Sequence, residues 1–188
     1  MKGKVTYGSK PLVYPMPAAI IGSTVDGKAN FMTIAYCGVV NNNPAMVAIG
    51  SNPAHHTMKG IREHKTFSVN IPSTSMAEKT DYVGIYSGRD VDKSKIFDVH
   101  YGVLSNAPLI AEAPVALECR VREMLDIGGN DTIIIGEVVE SYIDESCMTD
   151  GVPDARKVDP LIYTPNDRKY WSLGDSKGDG WSIGTSLE

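Results

Sequence analysis

The apolar positions of this 188-residue chain fall mostly at period two or in short continuous runs. Thr66-Phe67-Ser68-Val69-Asn70-Ile71 alternates and stops at Pro72. Val115 to Met124 alternates apolar against charged, the pattern of a half-exposed strand. Three further strands are predicted over 18–25, 29–40 and 45–50. The 29–40 strand, Asn30-Phe31-Met32-Thr33-Ile34-Ala35-Tyr36 onward, mixes apolar and small residues, as expected when both faces are covered. Thr132 to Ile143 opens on a β-branched run and reads as another strand. Leu161-Ile162-Tyr163 and Lys169-Tyr170-Trp171-Ser172-Leu173 flank a Pro-Asn-Asp-Arg turn and form a last hairpin.

Punctuation between these runs supports an antiparallel meander. Asp26-Gly27 is a strong hairpin signal, because glycine accepts the positive φ of a type I′ turn. Two short helices are predicted. One is capped by Ser51 or Asn52, has Pro53 in its first turn and runs through Glu63. The other opens on Ser75-Met76-Ala77-Glu78, which resembles a capping box, and runs through about Tyr86. Residues 87–93 read as a polar loop, 94–109 as a mobile excursion with weak periodicity, and 144–159 as a patternless polar stretch. Residues 1–17 read as an extended arm with an edge segment at 12–14. Residues 174–188 read as a tail lying on the surface or on a partner chain. The expectation is one mainly β domain over 1–188: seven or eight mostly antiparallel strands curled into a barrel to manage their edges, with short inserted helices.

Composition narrows the class. With 42% hydrophobic and 22% charged residues the chain is ordinary globular protein. A net charge of −5 and the lack of a Lys/Arg-rich block argue against nucleic-acid binding. Three cysteines without CxxC spacing argue against a disulfide framework or a zinc site, and read as reduced, mostly buried thiols. No signal peptide or membrane-length apolar run is evident, so a cytoplasmic protein without a membrane partner is expected.

The best local chemistry is Ser51-Asn52-Pro53-Ala54-His55-His56-Thr57. A helix start presents free N–H groups and partial positive charge, which suit a phosphate, and Ser51, His56 and Thr57 add donors. A plain capped surface helix explains the same segment. Asn30, Thr33 and Tyr36 bring polar groups into an apolar strand, where they serve either a ligand or cross-strand pairing. The adjacent His55 and His56 point different ways on a helix and do not make a metal site. No G-x-S-x-G, P-loop or G-x-G-x-x-G is present, so a catalytic side chain is not expected; if the chain is an enzyme, a cofactor carries its chemistry.

Several segments together resemble the flavin reductase-like proteins of the FMN-binding split-barrel fold, and within them the flavoredoxin branch. They are Asp26 to Ala35 with the following Asn-Pro turn, His56-Thr57 before Ile61-Arg62, Phe67-Ser68-Val69-Asn70, Ser87-Gly88-Arg89-Asp90-Val91-Asp92-Lys93, the strand 131–137 ending Gly-Glu-Val, and Pro160-Leu161-Ile162-Tyr163 before Tyr170-Trp171-Ser172-Leu173-Gly174. The resemblance implies a six-stranded split barrel that forms a homodimer, with FMN held non-covalently near the subunit interface. It places Asn30, Thr33, Ala35 and Tyr36 along the flavin ring, and Ser51, His56, Thr57 and Lys93 at the phosphate end. Asn70, Asp131 and Tyr163 are weaker members of the set. Asp131 stands where the family commonly has His, and its charge would repel a phosphate. The implied activities are an NAD(P)H-dependent flavin reductase and, as the alternative, an electron carrier that exchanges electrons with a redox protein. A flavin-free binding barrel is the third reading.

Overall fold

A computed structural model describes residues 3–187, with the side chain of residue 186 left out. The chain is mainly β. Its principal sheet contains β1 (Ala19–Val25), β2 (Lys28–Ile34), β3 (Cys37–Asn42), β4 (Ala45–Ser51), β5 (Thr66–Ile71), β6 (Val115–Leu125) and β7 (Thr132–Ile143). The helices are α1 (Thr57–His64), α2 (Ala77–Ile85) and the single-turn α3 (Ala155–Val158), with several 3-10 turns besides. The order across the sheet is β2-β1-β5-β6-β7-β4-β3 and every pairing is antiparallel.

That order carries the main architectural consequence. β2 and β3 are the two outer strands of a seven-stranded sheet, yet only Ala35 and Tyr36 separate them in sequence. Three peptide steps of about 3.8 Å limit the Ile34–Cys37 Cα separation to about 11 Å. The sheet must therefore curl until its edges face each other. The packing agrees: Met32 and Ile34 of β2 share one buried cluster with Val47 and Ile49 of β4, Phe67 and Val69 of β5, Cys119 of β6 and Ile134 of β7. The Ser51 hydroxyl lies 3.6 Å from the Met32 sulfur across the same gap. Met58 and Ile61 of α1 close this interior.

Period two explains the full burial of β1. Ala19 and Ile21 point into the curled interior, while Ile20 points outward into a second cluster with Ala29, Phe31, Met76, Val83, Phe97 and Ile110. α2 and the 97–113 segment cover that outer face, so both faces of β1 and β2 are dry; the 29–40 pattern predicts this for β2, but its second half, β3, is exposed from Gly38 to Asn42.

Several expectations need correction. The 29–40 strand is two strands. The chain breaks at Ala35-Tyr36, where the Cys37 amide turns back to the Ala35 carbonyl at 3.0 Å and the Tyr36 carbonyl accepts from Gly50 at 2.8 Å. A continuous apolar run cannot reveal that its two halves pair on opposite edges. The first helix begins at Thr57; residues 52–56 form tight turns, with the Asn52 side chain accepting from the Ala54 amide at 2.9 Å. The expected capping box does not form, since the Ser75 hydroxyl pairs with Ser73 at 2.8 Å and no side chain caps α2. Met16–Pro17, rather than 12–14, adds to the C-terminal hairpin Ile162–Thr164 and Lys169–Trp171. With the 29–40 run divided in two, the principal sheet has seven strands.

The 94–109 segment is packed, not loose. Phe97, Leu104, Ala107 and Leu109 are buried, and Phe97 meets Phe31 edge-on with ring centroids 5.3 Å apart. Individual polar anchors replace periodicity here. The buried Glu118 carboxylate accepts from the Val103 and Leu104 amides at 2.7 and 2.8 Å and from the Tyr142 hydroxyl at 2.8 Å. Residues 144–159 likewise form a 3-10 turn, a two-residue hairpin and α3.

Candidate functional site

The free end of β2, the 52–57 turns, the end of α2 and the 87–93 loop enclose a cleft of about 350 Å³. Met32 and Thr33 form one wall, His55, His56 and Thr57 a second, and Gly84, Tyr86, Gly88 and Arg89 the rim. Such volumes are ordinary for small-ligand sites.

Local geometry fixes these walls from below. Asn30, 5% exposed, donates from Nδ2 to the Thr57 hydroxyl at 2.8 Å and so ties β2 to the first turn of α1. The Ser51 hydroxyl contacts His55 Nδ1 at 3.1 Å. The Thr33 hydroxyl donates to the Thr80 carbonyl at 2.5 Å and binds α2 to the same strand. Gly88 lies so close that a Cβ there would collide with Asn30 Oδ1 and approach His56 Cδ2 to 2.8 Å. The loop backbone thus packs directly on the Asn30–His56 wall.

The charge is positive at one end. Lys93, 4% exposed, donates from Nζ to the Phe31 and Val83 carbonyls at 2.9 and 2.7 Å, and burial lowers its pKa to about 8. Two of its three protons are therefore already held by the protein. Arg89 donates from Nη2 to the Ala54 carbonyl at 2.6 Å and remains exposed, which leaves most of its five donors open. The His56 and Thr57 amides have no acceptor among the described residues. Burial, then the Arg89 charge, hold His56 below the ordinary imidazole value, with Asp26 opposing. His55 is lowered by burial first, with Lys93 and Arg89 adding and Asp131 opposing.

Asn30, Thr33, Ser51, His56, Thr57 and Lys93 are thus brought into or directly beneath one cleft. Ala35 and Tyr163 line an adjoining hollow of about 320 Å³, which shares Thr33, Gly84 and Ile85 with the cleft. Tyr36, 49% exposed, and Asp131 line a separate apolar hollow between β3, β4 and the 126–131 turn. Asn70 is not brought to the cleft. Fully buried, it donates to the Ile20 carbonyl and the Ser68 hydroxyl at 3.1 and 3.0 Å and accepts from the Ile110 amide at 2.9 Å. Its side chain anchors the 97–113 cover, which is the physical reason it cannot serve the cleft. Sequence reasoning missed Arg89 and Gly88. Both lie in the Ser87–Lys93 motif, where only the lysine was assigned a ligand.

A curled antiparallel sheet with an apolar strand wall beside a cationic, amide-rich turn defines a class of protein built to hold a flat, anion-bearing ligand. The chain belongs to the family described as "Flavin reductase like domain", which matches residues 12–172. The crystal structure of flavoredoxin from Methanosarcina acetivorans is similar at 42% identity and a TM-score of 0.94, over 98% of this chain and 99% of that one. Flavoredoxin of Desulfovibrio vulgaris (Miyazaki F) is similar at 34% identity and a TM-score of 0.89, over 96% and 99%. A curated relative, "FMN reductase (NADH) RutF" of Agrobacterium fabrum (strain C58), is 29% identical over 65% of this chain and 70% of its own length.

Proposed function

We propose that this chain binds FMN in the cleft and acts as an FMN-dependent oxidoreductase on a split-barrel scaffold. The observation that carries this reading is the polarity of the groove. A strand wall at Met32–Ala35 continues into an end with the exposed Arg89 guanidinium, the His56 and Thr57 amides, and Lys93. An isoalloxazine calls for a flat, largely apolar wall, and a dianionic phosphate for N–H donors and cations. Both are present in adjoining hollows. Arg89, His56, Thr57 and Lys93 would hold the phosphate; Thr33, Ala35 and Tyr163 would flank the ring. When bound, FMN supplies the hydride chemistry. The protein's own residues bind and orient it: Asn30 fixes the Thr57 hydroxyl, and Thr33 fixes α2 against the wall.

Two electron sources fit the reading. Reduction by NAD(P)H is supported by membership of the flavin reductase-like family and by the relative named as an NADH-dependent FMN reductase. Service as a carrier between redox proteins is supported by the two similar flavoredoxins. Anaerobic stopped-flow mixing of the FMN-loaded protein with NADH and with NADPH separates them. Bleaching of the flavin band with either supports the reductase. No bleaching with both, together with reduction by a ferredoxin, sinks the reductase and leaves the carrier.

We further infer a homodimer. Val39 and Val40 on edge strand β3 and Ile127 on the neighbouring turn are 78%, 54% and 73% exposed, an apolar strip beside Tyr36. No helix among the described residues is long and apolar enough to cross a membrane.

A further inference from the structure

The hollow beside the cleft has chemistry of its own. Thr33, Ala35, Ile85, Tyr163, Arg168 and Tyr170 line it. Tyr163 and Tyr170 stack obliquely with centroids 5.4 Å apart and offer an aromatic surface. Asp81 also borders it, but its carboxylate is engaged by the Tyr170 hydroxyl at 3.0 Å. The Arg168 guanidinium has no hydrogen-bond or ion-pair partner among the described residues.

Arg168 is also held in place by its backbone. It sits at φ 53°, a left-handed conformation that a non-glycine residue keeps only when its surroundings fix it. The turn that presents it is knit by side chains: the Thr164 hydroxyl donates to Asp167 Oδ1 at 2.5 Å and accepts from Trp171 Nε1 at 2.8 Å. A turn knit by side chains thus places an exposed arginine with an unpaired fork of donors on the lining of a hollow walled by two tyrosines. A fork of this kind matches a carboxylate bidentately.

We propose that the Arg168–Tyr170 side of this hollow, beyond the ring that Thr33, Ala35 and Tyr163 would flank, is the subsite for the second reactant, and that it takes a small planar aromatic carrying one anionic group, read by Arg168. The inference rests on the FMN reading, because the subsite shares Thr33, Gly84 and Ile85 with the proposed flavin cleft. The test uses benzoate and benzamide, which match in shape and differ in charge. Each is titrated into the FMN-loaded protein and followed by perturbation of the flavin band and by calorimetry. Arg168→Asn is the variant of choice, since Asn tolerates left-handed φ and the turn is kept.

Benzoate should bind the native protein and bind Arg168→Asn about tenfold or more weakly. Benzamide affinity should change less than about threefold, and FMN affinity should be unchanged. Arg168→Lys, which keeps charge but not the fork, should fall between. Absence of benzoate binding to the FMN-loaded protein overturns the proposal and leaves the FMN reading intact. So does an equal loss, or no loss, for both probes in Arg168→Asn. If the protein takes up no FMN, the flavin reading fails, and benzoate calorimetry still reports whether Arg168 reads the charge.

Discussion

Arg89 and Lys93 lie four residues apart in one loop and differ in what they can offer an anion. Lys93 is buried and binds two carbonyls, whereas Arg89 uses one donor and is exposed. Arg89→Gln should therefore weaken FMN by about 1.5–3 kcal/mol and leave riboflavin, which lacks the phosphate, nearly unaffected. Fluorescence titration with both flavins measures the difference, and equal losses would place the phosphate elsewhere. Lys93 adds a pH signature. Burial lowers its pKa to about 8, so the ammonium is charged below that value and loses its charge as pH rises through it. FMN affinity should fall between about pH 8 and the ordinary lysine value near 10, with riboflavin affinity falling less. A constant FMN-to-riboflavin affinity ratio across that window would remove Lys93 from the phosphate site. Gly88→Ala has a steric outcome. The new methyl group collides with Asn30 Oδ1, so the loop must lift from the Asn30–Thr57 pair and FMN affinity should drop with little change in global stability. Thermal denaturation alongside titration checks both halves.

At the scale of elements, α1 packs backbone against backbone on β1 at Gly60. A Cβ on Gly60 would run into the Thr24 carbonyl oxygen and approach the Ser23 hydroxyl to 2.7 Å. Gly60→Ala should cost about 1–3 kcal/mol, because backbone cannot yield as a side chain can, despite the better helix propensity of alanine. Chemical denaturation measures this, and a stabilised variant would contradict the packing. The strands were legible in sequence where apolar and polar residues alternate or a turn is marked: 66–71, 115–125 and the Asp26-Gly27 hairpin needed only period two and turn chemistry. The break at Ala35-Tyr36 was not, because it follows from which edge each half pairs with. The start of α1 was misplaced for a different reason. Ser51, Asn52 and Pro53 carry every local helix-start signal, yet Ser51 completes β4 and Asn52 builds a turn. The packing of 94–109 and the residues after it was illegible because its polar anchors, Asn70 and Glu118, lie outside the segment on strands β5 and β6, and no local periodicity marks them.

For the whole molecule, the two-residue link between the outer strands brings the 30–36 wall, the 51–57 turns and the 87–93 loop to one lip of the curled sheet. The candidate residues were named through resemblance, and the convergence of Asn30, Thr33, Ser51, His56, Thr57 and Lys93 on one cleft is what the fold adds. Asn70 fell out because a polar residue in a β strand can serve a distant segment as well as a ligand. Molecular curling also leaves Val39, Val40 and Ile127 exposed along one edge. Sedimentation should find a dimer, and Val39→Glu with Val40→Glu should shift it toward monomer; a native monomer would contradict the inferred interface. FMN binding at this lip is open to direct observation. The visible absorption spectrum of the purified protein, taken before and after addition of FMN and removal of the excess, tests it most directly. A yellow chromophore should be retained, bound one per chain, with a band shape altered from free FMN. A protein that stays colourless after FMN is added would contradict it.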